Sequence, residues 1–302
     1  MRVENPKLLA AFADWGVEHC PDEPLADWTS LGVGGRTDIL VIQQPRHLPE
    51  LGRQLAAEGL PWRLLGGGSN LLVRECELPW VLLHLSAKEA RPEFRGRRVR
   101  VAAAADLGRT VTECARHNLG GVEGLIGVPG SVGGALRMNA GAYGIEISHF
   151  VKNVELFRVE TGTIETLPAA AIGFQYRHTT FAPGDIMLST ELELLEKPYE
   201  EILATIKVCN EKRRASQPLN EKSAGCIFKN PPGASAGKMI DELGLKGHRV
   251  GGAVVSERHA NFFVNRFQAT ADDLLRLMDN VKQRIRQAFG YELEEEVIVW
   301  TD

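Results

Sequence analysis

The 302-residue chain has few cysteines, five, and they are odd in number and scattered (Cys20, Cys76, Cys114, Cys209, Cys226). With no C-x-x-C pair they exclude a disulfide framework and a cysteine zinc site, and a reducing cytoplasm is the expected compartment. Its eight histidines lack metal-ligand spacing, so no metal is expected. An excess of one charge is lacking too: 35 basic against 39 acidic residues leave a net charge of -4. That excludes nucleic acid and an anionic membrane surface as partners, and any anionic ligand must be held by local groups. No apolar run approaches the roughly 20 residues that span a bilayer. Glu4, Asp14 and Glu18 lie where a secretory signal would have its apolar core, so no signal peptide is expected.

What is present is a globular composition, 44% hydrophobic and 25% charged. The length exceeds what one core holds comfortably, so two or three domains are expected. A helix near Leu8 to Trp15 precedes a strand at Asp38 to Ile42. Leu48, Leu51 and Leu55 share a helical face that Gly59 ends, and Trp62 to Leu65 is a strand, giving a β-α-β unit. Further strands are expected at Trp80 to Leu85 and Arg98 to Ala104, then a helix from Asp106 to Asn118. Val154 to Val159 and Thr163 to Leu167 read as a hairpin, and Ile186 to Leu195 as a strand. A helix near Tyr199 to Lys212 follows the break at Pro198. Beyond it come a helix near Ser235 to Leu243, a strand at Asn261 to Asn265 and a long helix. Thr270 and Asp273 cap that helix, Leu274, Met278, Val281, Ile285 and Phe289 form its core stripe, and Gly290 stops it. The closing segment Glu292 to Trp300 alternates, with Val297 and Val299 on one face and Glu296 and Ile298 on the other.

Glycine is concentrated in an unusual way. Gly120 to Gly144 holds nine glycines in 25 residues, against an average usage of about 7%. Two runs follow strand-like segments: Gly66-Gly67-Gly68-Ser69-Asn70 and Gly127-Val128-Pro129-Gly130-Ser131-Val132-Gly133-Gly134. Glycine lets main-chain N–H groups converge on a pyrophosphate with no Cβ in the way, which points to a nucleotide cofactor. Neither run has the G-x-G-x-x-G spacing that opens a Rossmann helix. The run Gly233 to Lys238 is one residue short of a phosphate-binding Walker loop and continues into Met239.

Four other places carry chemistry. Ser223 to Pro231 puts the Cys226 thiol between a glycine and a β-branched residue, with Lys229 and Asn230 just beyond; it reads either as a buried structural thiol or as a reactive one. Arg177 stands among aromatics, as a cation stacked on Tyr176 or as a carboxylate clamp. Glu296, one of three consecutive glutamates, reads alone as a solvated strand end. Arg213 and Arg214 either complement a helix dipole or grip a diphosphate.

Taken in order, these pieces resemble the UDP-N-acetylenolpyruvoylglucosamine reductase family, flavoenzymes of bacterial peptidoglycan precursor synthesis. The resemblance lies in Thr29 to Gly35, Leu65 to Asn70, Gly124 to Gly134, Asn139 to Tyr143 with Gly144, Phe174 to Phe181, Ser223 to Pro231 and Leu293 to Val297, and so spans nearly the whole chain. The short connection between Leu195 and Tyr199 leaves no room for the extra tyrosine-bearing loop of one family subtype.

The resemblance implies an α+β fold with a two-part FAD-binding region of the vanillyl-alcohol-oxidase type and a separate α+β substrate domain. The implied boundaries are 1–86 joined by 290–302, then 87–197, then 198–289. Gly66, Gly67, Gly68, Ser69, Asn70, Gly130, Ser131, Gly133, Gly134, Asn139, Gly141, Ala142 and Tyr143 are implied to bind FAD. Arg214, Lys229 and Asn230 are implied to meet a nucleotide-sugar substrate in a bacterial cytoplasm. NADPH is the implied reductant, with hydride passing through FAD to an enolpyruvyl ether. The family's proton donor is a serine where this chain has Cys226. A thiol, with an ordinary pKa near 8.5, stays mostly protonated at neutral pH and yields a proton more readily than a hydroxyl. Arg177 and Glu296 are implied to polarise the substrate carboxylate and stabilise the enolate. The competing expectations are an FAD-dependent alcohol oxidase of the same fold and a nucleotide-sugar-binding protein without catalysis.

Overall fold

A computed structural model describes residues 1–88 and 90–301. The chain divides into two compact units, one of residues 1–23, 37–67 and 79–211, the other of 24–36, 68–78 and 212–302.

The first unit has two cores. Around the first runs a four-stranded sheet ordered Val17–Pro24, Arg36–Ile42, Val81–Leu85, Trp62–Leu65. Val81–Leu85 pairs in parallel with both neighbours, Ile39 opposite Leu82 and Trp62 opposite Val81. Strands that run in the same direction need a crossover, and the helix Leu48–Ala57 supplies one from Arg36–Ile42 to Trp62–Leu65, the two strands that flank Val81–Leu85, burying Leu48, Leu51 and Leu55. Leu8 and Phe12 of the helix Pro6–Asp14 close the same core. Val17–Pro24 has no apolar alternation to mark it in the sequence. It carries Pro21 and Pro24 and lies at the end of the sheet, where a strand can lack ladder donors.

The second core lies against a five-stranded antiparallel sheet ordered Thr163–Pro168, Val151–Arg158, Ile186–Glu193, Arg98–Ala102, Glu93–Arg95. Helix Leu107–Arg116 covers it; Asp106 caps that helix, accepting the Arg109 N–H at 2.7 Å. Cys114 is buried there, and burial pushes its thiol up to about 12. It is a core residue.

The second unit is built on an antiparallel sheet ordered Lys222–Cys226, Phe262–Asn265, Ala253–Val255, Arg249–Val250. Helix Ala271–Phe289 packs on it through Leu274, Leu277, Met278, Val281 and Ile285. The Thr270/Asp273 capping box and a left-handed Gly290 bound this helix. Phe289, expected in the stripe, is exposed in the last turn. The closing strand Ile298–Trp300 pairs in parallel with Leu71–Val73.

This division departs from the expected boundaries. Helix Tyr199–Ser216 begins directly after the expected break at Pro198, and the units divide within it, at 211 and 212. The closing strand does reach a segment of residues 1–86, but that segment, Leu71–Val73, counts with the C-terminal unit because its sheet partner and its core are there. Among the described residues no helix is long and apolar enough to cross a membrane.

One buried carboxylate ties down the N-terminus of the first unit. Asp38, 1% exposed, accepts the Val3 N–H at 2.8 Å, the Asp22 N–H at 2.9 Å and His19 Nε2 at 2.7 Å. Burial pushes its pKa up, but these bonds outweigh burial and hold it below its ordinary 3.8. Asp38→Ala should therefore lower unfolding stability at pH 7 by on the order of 3 kcal/mol, the scale for stranding buried partners of a charged acceptor. Because the folded pKa is depressed, the stabilisation is complete above the unfolded value and drains as pH falls through the depressed one. Urea unfolding should show the gap between wild type and variant narrowing at pH 3; an equal gap at both pH values contradicts the assignment.

Candidate functional site

In the first unit the two glycine runs meet main chain to main chain. A Cβ on Gly67 would stand 2.9 Å from Gly130 Cα, and one on Gly66 3.4 Å from Ser131 Oγ. Gly66, Gly67, Gly127 and Gly134 are exposed. Exposed backbone without side chains is the surface a pyrophosphate needs, so the residues present fit a nucleotide cofactor. Two of the expected contacts have other duties. The Gly133 N–H donates to Ala103 O at 2.7 Å, and a Cβ there would lie 3.0 Å from Ala103 Cβ. Gly134 donates to Ser131 Oγ at 3.2 Å, making Ser131 the cap of the short helix Val132–Arg137.

Asn139 is fully buried at φ +41°. Its Nδ2 donates to Glu146 Oε2 at 2.8 Å and Gln175 O at 3.1 Å, and its Oδ1 accepts the Ser148 N–H at 3.3 Å. It fastens its own loop to the hairpin that carries Arg177. That hairpin joins Phe174–Gln175 to His178–Thr179 through Tyr176 and Arg177. Arg177 holds φ +52°, a region that costs a side-chain-bearing residue about 1 kcal/mol or more. Its guanidinium lies 5.0 Å from the Tyr176 ring centroid and donates to Gly141 O at 2.9 Å. Gly141–Ala142 pairs with Ile145–Glu146 around Tyr143 and Gly144, at φ 54° and 79°, the sign pattern of a type I′ turn. The Tyr143 hydroxyl donates to Cys209 O at 3.2 Å.

In the second unit Cys226 ends the strand Lys222–Cys226, opposite Phe262, after a bulge at which Gly225 takes φ +77°. The thiol residue is half-buried. Beyond it, Ile227 O accepts the Glu296 N–H at 2.7 Å and Lys229 donates its N–H to Glu294 O at 2.9 Å. Phe228 forms a bridge to Glu295. Glu296 is held on its other side as well: Asn70 Nδ2 donates to Glu296 O at 3.0 Å, and Asn70 O accepts the Ile298 N–H at 3.0 Å. Gly68, Ser69 and Asn70 thus belong to the Glu296 segment, whereas Gly66 and Gly67 face Gly130.

Lys229 Nζ pairs with Glu294 at 3.4 Å, and Asn230 Oδ1 accepts the Ala236 N–H at 3.0 Å, at the start of helix Ala236–Glu242. Arg214 is exposed near the end of its helix, and its carbonyl accepts from Arg258 at 2.8 Å. Arg213 is buried, its guanidinium donating to Gln217 Oε1 at 3.1 Å. Gly233-Ala234-Ser235-Ala236-Gly237 spells the letters of a serine-hydrolase elbow, yet Ser235 is a helix cap whose Oγ accepts the Lys238 N–H. Among the described residues no cluster of metal-binding side chains occurs. Two residues that sequence reasoning passed over hold this region: Asn261, bonded to Phe228, and Ser30, whose Oγ donates to Ser223 O at 2.7 Å. Neither has a spacing signal that would have singled it out.

Comparison with known proteins bears on the whole arrangement. Residues 39–168 match the FAD binding domain model, and residues 217–300 match the model for the UDP-N-acetylenolpyruvoylglucosamine reductase C-terminal domain. The chain is 41% identical to UDP-N-acetylenolpyruvoylglucosamine reductase 2 of Symbiobacterium thermophilum over 92% of this chain and 91% of that one. It is also 41% identical to the reductase of Geobacter metallireducens, over 97% and 98%. The crystal structure of the Thermus caldophilus reductase superposes with a TM-score of 0.81 at 40% identity, covering 94% of this chain and 98% of that one. Berberine bridge enzyme shares the fold of about two thirds of the chain, with a TM-score of 0.50 at 18% identity over 65% of this chain and 44% of that one. The chain belongs to the UDP-N-acetylenolpyruvoylglucosamine reductase family.

Proposed function

We propose that this chain reduces the enolpyruvyl ether of UDP-N-acetylglucosamine enolpyruvate to UDP-N-acetylmuramate, with NADPH as reductant, in the bacterial cytoplasm. The observation that carries the reading is near-full-length identity of 41% to a named reductase. FAD, when bound, would supply the hydride-transfer chemistry that links NADPH to the enolpyruvyl ether. Gly66, Gly67, Gly130 and Ser131 would hold the cofactor's pyrophosphate, while Gly133 and Asn139 bond within the protein and support those loops. Arg214, with Lys229 and Asn230, meets the nucleotide-sugar.

Hydride addition at the vinyl carbon leaves an electron pair on the neighbouring, ether-bearing carbon, delocalised as an enolate of the substrate carboxylate. Arg177 and Glu296 polarise that carboxylate and stabilise the growing charge, Arg177 through its planar fork of donors. Cys226 gives its thiol proton to the carbon, and the resulting thiolate recovers a proton from water. The bulge before Cys226 serves this role by turning the side chain out of the strand's ordinary alternation.

An anaerobic titration following flavin absorbance tests the reading. The yellow protein should bleach with NADPH and recover its colour when the enolpyruvyl sugar is added; an alcohol oxidase would not bleach rapidly, and a non-catalytic binder would not recover. Cys226→Ala should bleach as wild type does but recover at least about a hundredfold more slowly, the scale of losing a general acid. Recovery at the wild-type rate removes the assignment. Arg214→Ala should raise the substrate KM with flavin content intact, and an unchanged KM takes Arg214 out of the site. Gly67→Val, which places side-chain atoms against Gly130, should purify with little bound FAD at unchanged secondary structure by circular dichroism; full flavin occupancy would contradict the cradle.

A further inference from the structure

The main chain that follows the proposed proton donor is held by one residue, Asn261, through its backbone carbonyl at Ile227 and through its side chain at Phe228. Lys222 and Ser223 pair with Asn265 and Val264, the register breaks between Ser223 and Cys226, and Cys226 itself lies opposite Phe262. After Cys226 the pairing passes to Asn261. Its carbonyl accepts the Ile227 N–H at 2.8 Å, its Oδ1 accepts the Phe228 N–H at 3.0 Å and its Nδ2 donates to Phe228 O at 2.8 Å. Asn261 is 2% exposed, so the side chain has no competing water, and both of its amide atoms are used on one residue of the neighbouring segment. It completes a strand pairing that the backbone, bulged two residues earlier, no longer makes for itself.

The hold extends to Glu296. The Ile227 N–H donates to Asn261 O and the Ile227 carbonyl accepts from Glu296 at 2.7 Å, so fixing residues 227 and 228 fixes the register of the Glu296 segment too. Asn261 is itself anchored: His259 Nδ1 accepts the Asn261 N–H at 3.3 Å, and His259 O accepts the Phe262 N–H at 2.8 Å. Burial and Lys246 lower the His259 pKa, which keeps the ring in the neutral form that this acceptor role requires. Phe228 adds a packing restraint, set edge-on to Phe263 at 5.8 Å.

We propose that Asn261 is a positioning residue for protonation: by clamping the Phe228 main chain it aims the Cys226 thiol and sets the register of Glu296. The inference rests on Cys226 being the proton donor. Its loss should therefore slow the step that needs a proton and leave the other alone, since small misplacements of a reacting group cost large factors in rate.

The test uses the FAD-loaded full chain and two variants. Asn261→Leu keeps the number and branching of side-chain heavy atoms and removes both bonds. Asn261→Asp keeps the acceptor for the Phe228 N–H and loses the donor, and serves if the leucine variant does not fold. Flavin reduction by NADPH should stay within about twofold of wild type in each, while flavin reoxidation by the enolpyruvyl sugar slows about tenfold or more. The solvent deuterium isotope effect on reoxidation should rise as proton transfer becomes rate-limiting. In a Cys226→Ala background, Asn261→Leu should cause little further loss, because the group it aims is gone. Equal slowing of both half-reactions, an additive loss in that background, or wild-type reoxidation overturns the proposal. Wild-type protein that fails to reoxidise with the enolpyruvyl sugar, or Cys226→Ala protein that reoxidises normally, overturns the underlying reading and is distinct from these outcomes.

Discussion

Ile227 O accepts the Glu296 N–H at 2.7 Å, and the register of the chain's closing segment in the second unit depends on that bond. It joins the bulged strand that ends in Cys226 to the closing segment of the chain, which has no long strand of its own and would otherwise be a loose tail. Around it the neighbouring bonds fall into register: Lys229 to Glu294, Phe228 to Glu295, Asn70 to Glu296 and Ile298 to Asn70. A segment stitched at every residue on one side has few conformations left. That loss of freedom costs about 1–2 kcal/mol per residue, and the burial of Leu293 and Val297 in the core of the unit helps offset it.

In the first unit the governing constraint is distance of approach. Gly67 can lie against Gly130 because neither has a Cβ, and the two loops are carried there by different means. One follows the parallel strand Trp62–Leu65; the other starts the short helix Val132–Arg137, pinned by Val132 N–H to Ala105 O at 2.8 Å and Gly133 N–H to Ala103 O. Glycine therefore plays two parts within one run. At Gly67 and Gly130 its absent side chain opens a surface, whereas at Gly133 it permits packing against Ala103. A motif read as a single cofactor contact divides, once folded, into wall and support.

Much of this was legible beforehand, and the part that was not has a physical reason. The helix over Leu274 to Ile285 announced itself through its period and caps, and Trp62–Leu65 and the Val154 hairpin through turn chemistry and alternation. Val17–Pro24 did not, because an edge strand rich in polar residues and proline is defined by its neighbour. The unit boundary did not either: helix Tyr199–Ser216 is continuous, so no break in composition marks the division at 211 and 212. Glu296 read alone as a solvated glutamate, since what distinguishes it is a backbone partner 69 positions away, at Ile227. Asn261 was invisible for the same reason. Its use depends on a bulge in another strand, and no spacing within its own segment encodes that.

The thiol at position 226 makes this support more important. A cysteine and a serine place their heteroatoms differently: the C–S bond is longer, and S–H donates weakly with less directional preference than O–H. A weakly directional donor cannot correct its own aim through a strong hydrogen bond, so its orientation has to come from the backbone. The bulge at Gly225 and the Asn261 clamp supply that from both sides. Cys114 shows the contrast within the same chain. Burial in the first unit pushes its thiol up to about 12, which removes most of the advantage in acidity that a thiol has over a hydroxyl. Cys226 is half-buried at a strand end, with the main chain on each side fixed. What separates the proposed proton donor from the core thiol is therefore the bonding of the main chain that follows it as much as its access to water.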